Sequence, residues 1–191
     1  MGRPSPRPRC FACSTRGSGR PISLSVNVAA RQVARPDLTA TVDRALADAG
    51  LPEQALAIEL TESALLEADE QTLRQLEELR GRGVMVGLDD FGTGYSSLTY
   101  LRRFPVTHLK VDRSFVQGMV SSSSDRAIVR AVTGLAEDLG LGWVAEGIER
   151  PDQREAVASL GDGLAQGFLF GRPVPECQLD VLRRLVGLRR R

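Results

Sequence analysis

The chain is predicted to be an α/β protein, with a parallel sheet covered by helices and either open or closed into a (β/α)8 barrel. Short β-branched or apolar runs alternate with longer segments of helical period from residue 24 to the end. Repeats of about thirty residues are the length of a βα unit, and six follow in sequence. Each unit also places a polar residue at or near the C-terminal end of its strand: Asn27, Glu59 with Glu62, Asp89 with Asp90, Lys110 with Asp112, Glu146 with Glu149, and Gln166. Barrels of this class build their sites on that face.

The first strand is read as Leu24 to Val28. Leu38, Val42, Leu46 and Ala49 then recur at helical spacing, and Gly50 stands where that helix should stop. Leu56 to Leu60 is the second strand, followed by a stripe of Leu73, Leu76 and Leu79 that ends at Gly81. Val84 to Asp90 and His108 to Asp112 are the third and fourth strands. Asp125 reads as the N-cap of a helix carrying Ile128, Val132, Leu135 and Leu139, stopped by Gly140. Trp143 to Gly147 is the fifth strand. Asp152 reads as the next N-cap, Gly161 as its stop, and Leu164 to Phe168 as a weak sixth strand.

One domain, residues 22 to 188, accounts for these elements. Met1 to Pro21 carries five Arg, four Pro and three Gly with no acidic residue or periodic stripe, and reads as a disordered basic tail. Residues 189 to 191 form a basic end. A net charge of +1 argues against a dedicated nucleic-acid binder, so the arginines of both ends read as solvated. Cys10 and Cys13 form one Cys-x-x-Cys with no second pair, and Cys177 is alone, so a zinc or redox site is not expected. Sparse, odd cysteine and the lack of an apolar run for a signal or membrane span point to a cytoplasmic protein.

The chemistry concentrates at Asp89-Asp90-Phe91-Gly92-Thr93-Gly94, where the apolar run Val84 to Leu88 ends in two adjacent carboxylates. Side by side they repel, and unless cations neutralise them one must take up a proton or both must sit in water. An acidic turn is one reading, since Asp and Gly form turns readily. A divalent ion is the other, and the carboxylates at the remaining strand ends favour it, because burying them is costly unless something pairs them. Lys110 is the sole lysine in a chain with 24 arginines. A compact ammonium aimed at a phosphate oxygen or an attacking water is not replaceable by a planar guanidinium.

Six segments, from about Ser23 to Leu185, resemble the EAL-domain phosphodiesterases that hydrolyse cyclic di-GMP. They are Ser25-Val26-Asn27-Val28-Ala29-Ala30-Arg31-Gln32, Glu59-Leu60-Thr61-Glu62-Ser63, the loop beginning at Asp89-Asp90-Phe91-Gly92, Leu109-Lys110-Val111-Asp112, Ala145-Glu146-Gly147-Ile148-Glu149, and Gln166-Gly167-Phe168 with Gly171-Arg172-Pro173. The resemblance implies a TIM-like barrel with a two-metal site for Mg2+ or Mn2+. By that resemblance Asn27, Glu59 and Asp89 hold one ion, and Asp89 bridges to a second that Asp90 also holds. Lys110 orients the attacking water and Glu146 is its general base or a ligand close by. Glu149 and Gln166 stand at positions just outside the ligand set and on the substrate side, and Glu62 braces the loop from Phe91 to Ser97. The implied reaction opens the cyclic diester to linear pGpG.

One departure accompanies the match. The Glu-Ala-Leu signature and the Arg after it belong well before Asn27, farther back than the 26 residues available here, and those residues do not contain them. Glu62-Ser63-Ala64-Leu65-Leu66 looks similar but follows the wrong strand. The barrel is therefore expected to be incomplete, with about six units, weakened hydrolysis, two open strand edges and inward side chains such as Val26 and Ile58 uncovered. Open edges invite a homodimer or a complementing chain. Two functions follow: a metal-dependent cyclic di-GMP phosphodiesterase, or a non-catalytic remnant that binds cyclic di-GMP, metal or a protein.

Overall fold

The computed structural model describes residues 23–92 and 98–175. The basic ends, all three cysteines and the loop residues 93–97 lie outside them. Six parallel strands, β1 (Leu24–Asn27), β2 (Leu56–Thr61), β3 (Met85–Phe91), β4 (His108–Val111), β5 (Gly142–Ala145) and β6 (Leu164–Ala165), lie in the order β1-β2-β3-β4-β5-β6. Among the described residues β1 and β6 each have one neighbour, so the sheet is half a barrel. The connections carry α1 (Ala30–Val33), α2 (Leu38–Ala49), α3 (Glu62–Leu66), α4 (Glu70–Gly81), α5 (Leu98–Arg103), α6 (Arg113–Gly118), α7 (Ser123–Asp138) and α8 (Pro151–Ala158). Among the described residues no helix is long and apolar enough to cross a membrane.

Strand alternation sorts the side chains into two faces. Ile58 and Leu60, Val86 and Leu88, Leu109 and Val111, and Trp143 and Ala145 turn outward and join Leu38, Val42, Leu46, Leu73, Leu76, Leu79, Val129, Val132 and Ala136 of the helices in one buried core. Ile58 thus faces the helical layer with Val26 on the same side, which corrects the expectation that both point inward; the inward positions belong to Ser25 and Asn27, Ala57 and Glu59. The register aligns Asn27, Glu59, Gly87, His108 and Gly142 in one inner row, with Lys110, Val144 and Leu164 in the row toward the strand ends.

Several element ends differ from the sequence reading. β3 runs on to Phe91, whereas β4 stops at Val111 because Asp112 caps α6, its carboxylate accepting from Ser114 N at 2.9 Å. β5 stops at Ala145 and β6 is two residues long. Ser122, not Asp125, is the N-cap of α7: its hydroxyl accepts from Asp125 N, and Asp125 sits in the first turn, where its charge suits the helix dipole. Asp152 likewise lies inside α8 behind Pro151, and Arg150 is the cap. Leu139 is 40% exposed, since α7 has ended before it. Gly50, left-handed at φ 62°, ends α2 as expected, and Gly140 follows α7.

His108, the sole histidine, occupies the inner row beneath the strand-end carboxylates. Its Nδ1 lies 3.0 Å from Thr107 Oγ1, which also accepts from Val86 N at 3.0 Å. The ring takes the space a side chain at Gly87 would fill, since an added Cβ would lie 2.7 Å from His108 Cε1 and closer still to Nε2. Gly87→Ala is expected to destabilise the protein by about 1–3 kcal/mol through this overpacking. Urea unfolding checks it, and adding His108→Ala should restore most of the loss.

Candidate active site

Lys110 organises the C-terminal end of the half-barrel. It leaves β4 on the inner face, 5% exposed, and its Nζ lies 2.8 Å from Glu59 of β2, 3.0 Å from Asp89 of β3 and 2.5 Å from Glu146 just beyond β5. Glu59 is itself 7% exposed. The cluster brings together residues up to 87 positions apart because Glu59, Asp89 and Lys110 stand on the inner face toward the C-terminal ends of β2, β3 and β4, and Glu146 directly follows β5. Burial alone would lower the Lys110 pKa, but hydrogen bonds to Glu146, Glu59 and Asp89 outweigh it and hold the ammonium charged, well above the ordinary lysine range. The Glu146 carboxyl is raised by burial against the opposing pull of Lys110, and the charges of Asp89 and Glu59 add to the rise.

Beside this cluster Asp89 accepts from Asp90 N at 3.1 Å. Asp90 holds a left-handed φ of 54°, uncommon outside glycine but tolerated by Asp, and this turns its carboxyl toward Asp112. Burial raises the Asp90 pKa first, followed by the charges of Asp89 and Asp112. For Asp112, burial is outweighed by bonds from Ser114 and from Asp90, and its pKa is lowered. The pair is thus held unequally, with Asp90 shifted toward its neutral form and Asp112 toward its charged form.

Gln166 donates to Glu146 at 2.7 Å, and Gln117 donates to Glu149 at 3.3 Å. A cleft of about 450 Å3 opens alongside, lined by Arg113, Glu149, Gln166, Phe168 and Arg172, with the Arg172 guanidinium 4.6 Å above the Phe168 ring. Asn27 pairs with Glu59 in the register at the exposed end of β1, and its side chain has no hydrogen-bond partner among the described residues. Glu62 stands apart from the cluster in the first turn of α3. Both its oxygens are buried without a hydrogen-bond partner among the described residues, and most of the loop it was expected to brace, residues 93–97, lies outside them.

The sequence reading does not place Asp112 among the candidate ligands and gives no role to Arg113, Phe168 or Arg172, although the last two stand in its final matched segment. Asp112 was legible in its two-residue spacing from Lys110. Arg113 opens α6 while Phe168 and Arg172 lie beyond β6, and their convergence is not written in the local pattern.

The EAL domain family matches residues 11–173, and the chain belongs to it. It is 44% identical over 163 residues to the cyclic di-GMP phosphodiesterase NbdA of Pseudomonas aeruginosa, covering 85% of this chain and 21% of that protein. The crystal structure of the EAL domain of Mycobacterium smegmatis DcpA superposes with a TM-score of 0.80 at 39% identity, over 86% of this chain and 74% of that one. A manganese and cyclic di-GMP complex of Klebsiella pneumoniae BlrP1 superposes with a TM-score of 0.74 at 36% identity, over 81% of this chain and 40% of that one. The chain spans about a fifth of the length of curated relatives such as NbdA.

Proposed function

We propose that this chain carries the metal-dependent hydrolysis of cyclic di-GMP to linear pGpG. The observation that supports it most is the Lys110 cluster: one buried ammonium among three carboxylates from three strand ends, beside a cleft lined by two arginines and an aromatic ring. The names of NbdA and other relatives, cyclic di-GMP phosphodiesterases, point the same way.

The donor set suits a hard divalent cation such as Mg2+ or Mn2+, being carboxylate and amide oxygens with no sulfur. Burial and the charges of Asp89 and Asp112 raise the Asp90 pKa by more than Lys110 lowers it, which marks uncompensated negative charge there. Asn27, Glu59 and Asp89 would hold one ion, and Asp89, Asp90 and Asp112 a second. Bound cations supply Lewis acidity, lowering the pKa of water and neutralising charge on the leaving oxygen.

The chain's own residues do the rest. Glu146, its pKa raised, accepts a proton from the attacking water at Oε1 or Oε2. Gln166, bonded to Glu146, fixes the direction of that carboxylate. Lys110 orients the water and offsets the diester charge. Arg113 and Arg172 face the phosphates, and the Phe168 ring offers a surface for a base. A cytoplasmic location, and pairing of the open edges with a second copy or a complementing chain, belong to the same reading; sedimentation tests the latter.

Incubation with cyclic di-GMP and Mn2+, read by chromatography, tests the reaction. Appearance of pGpG that Glu146→Gln suppresses supports it. Saturable binding of cyclic di-GMP without turnover would favour the non-catalytic remnant.

A pH prediction follows from the carboxyls. Asp90 and Glu146 both titrate above the ordinary carboxylate range, so at mildly acidic pH protons compete with the cation. Mn2+ affinity should therefore rise with pH, across an interval lying above the ordinary carboxylate range, as they ionise. Calorimetry across that interval checks it, and a flat profile would refute it.

A further inference from the structure

An ammonium has three N–H donors and no acceptor. In Lys110 all three are matched by carboxylates, Glu59 at 2.8 Å, Asp89 at 3.0 Å and Glu146 at 2.5 Å. No donor remains to orient a water or meet a phosphate. The same three carboxylates are arranged around Nζ, and among the described residues no group of three or more His, Cys, Asp or Glu stands ready to hold a metal ion as the side chains are placed. The lysine is therefore where the positive charge of the site resides, and the carboxylates are positioned for it.

We infer that Lys110 stands in for a divalent cation when none is bound, and that an ion taken up by Glu59 and Asp89 releases its ammonium from them. Metal occupancy then switches the lysine from holding the strand ends together to facing the substrate. The inference rests on the metal reading proposed above. Burial gives the exchange its force: the Lys110 side chain is 6% exposed and those of its partners 8% (Glu59), 15% (Asp89) and 16% (Glu146), so none of them readily trades its ionic partner for water. Breaking such a pair without replacement leaves an uncompensated buried charge, whereas a divalent ion supplies the replacement. Glu146, whose remaining partner Gln166 approaches at 2.7 Å, keeps its hold on Lys110, so the freed donors stay at the site.

Lys110 is the sole lysine of the chain, so reductive methylation followed by peptide mass spectrometry reads its side chain alone, with the N-terminal amine on a separate peptide. The full chain is labelled with and without saturating Mg2+, and calorimetry on the same samples measures Mg2+ binding. Labelling of Lys110 is expected to be about tenfold slower in the metal-free protein, where the amine is buried and fully bonded. Mg2+ binding with no rise in labelling overturns the inference and leaves the metal reading standing. No Mg2+ binding overturns both. A second arm uses Lys110→Met, in which the competing charge is gone and Mg2+ should bind about tenfold tighter. Binding no tighter than in the unmodified chain overturns the inference, and the labelling arm holds whether or not this variant folds.

Discussion

Asp89→Asn is expected to abolish detectable binding of Mn2+ and Mg2+ and to lower hydrolysis of cyclic di-GMP about a thousandfold, a loss of about 4 kcal/mol in transition-state stabilisation. Asp89 is the residue on which both halves of the site depend. It bonds Lys110 on one side and accepts from Asp90 N on the other, so its charge faces the Glu59 side and the Asp90–Asp112 side together. Asparagine keeps the shape and one acceptor oxygen but removes the charge. The metal-free fold should survive, because Lys110 retains Glu59 and Glu146. Calorimetry with each ion and chromatography of the product measure the two effects. Unchanged metal binding in Asp89→Asn would mean that any ions bind elsewhere, and the ligand set proposed here would fall.

The outline of this molecule was readable in its sequence because two periods write it. Strand alternation and helical stripes are local, and so β1 to β5 fall within a few residues of where the pattern puts them, as do the buried stripes of α2, α4 and α7. The ends were less legible. Asp125 and Asp152 look like caps by residue type, yet Ser122 and Arg150 begin those helices, since an acidic residue is also favourable one or two positions inside the first turn. The short β6 carried little pattern, and its inner residue Leu164 is 70% exposed. Site residues at strand ends were legible for the same reason as the strands. What the sequence withheld was their mutual geometry: that Lys110 would bind three carboxylates at once, and that Asp90 would take a left-handed backbone beside Asp112.

Gly167→Ala is expected to unfold the site from its far side, destabilising the protein by about 3 kcal/mol or more. An added Cβ there would lie 2.7 Å from the carbonyl carbon of Ile148 and closer still to its N and O, and backbone on both sides has no side-chain rotamer with which to relieve the clash. The contact is close because two loops are stitched together at this point: Gln166 N donates to Ala145 O at 2.9 Å, Ile148 N to Gln166 O at 3.0 Å and Leu169 N to Ile148 O at 3.0 Å. These bonds carry Glu146, Glu149 and Gln166 into place and set the 2.7 Å contact between Gln166 and Glu146. Forcing the loops apart removes two of the three bonds and displaces the proposed base, and a displacement of about 1 Å costs about a hundredfold in rate. Gly171→Ala, four residues on, is the control: nothing lies within 4 Å of its added Cβ, and it should shift stability by less than about 0.5 kcal/mol. Urea midpoints and cyclic di-GMP turnover for the two variants side by side decide the matter. Equal behaviour would show that the Ile148 contact gives way easily, and that the loops carrying Glu146 and Gln166 are positioned by something other than this close approach of backbone.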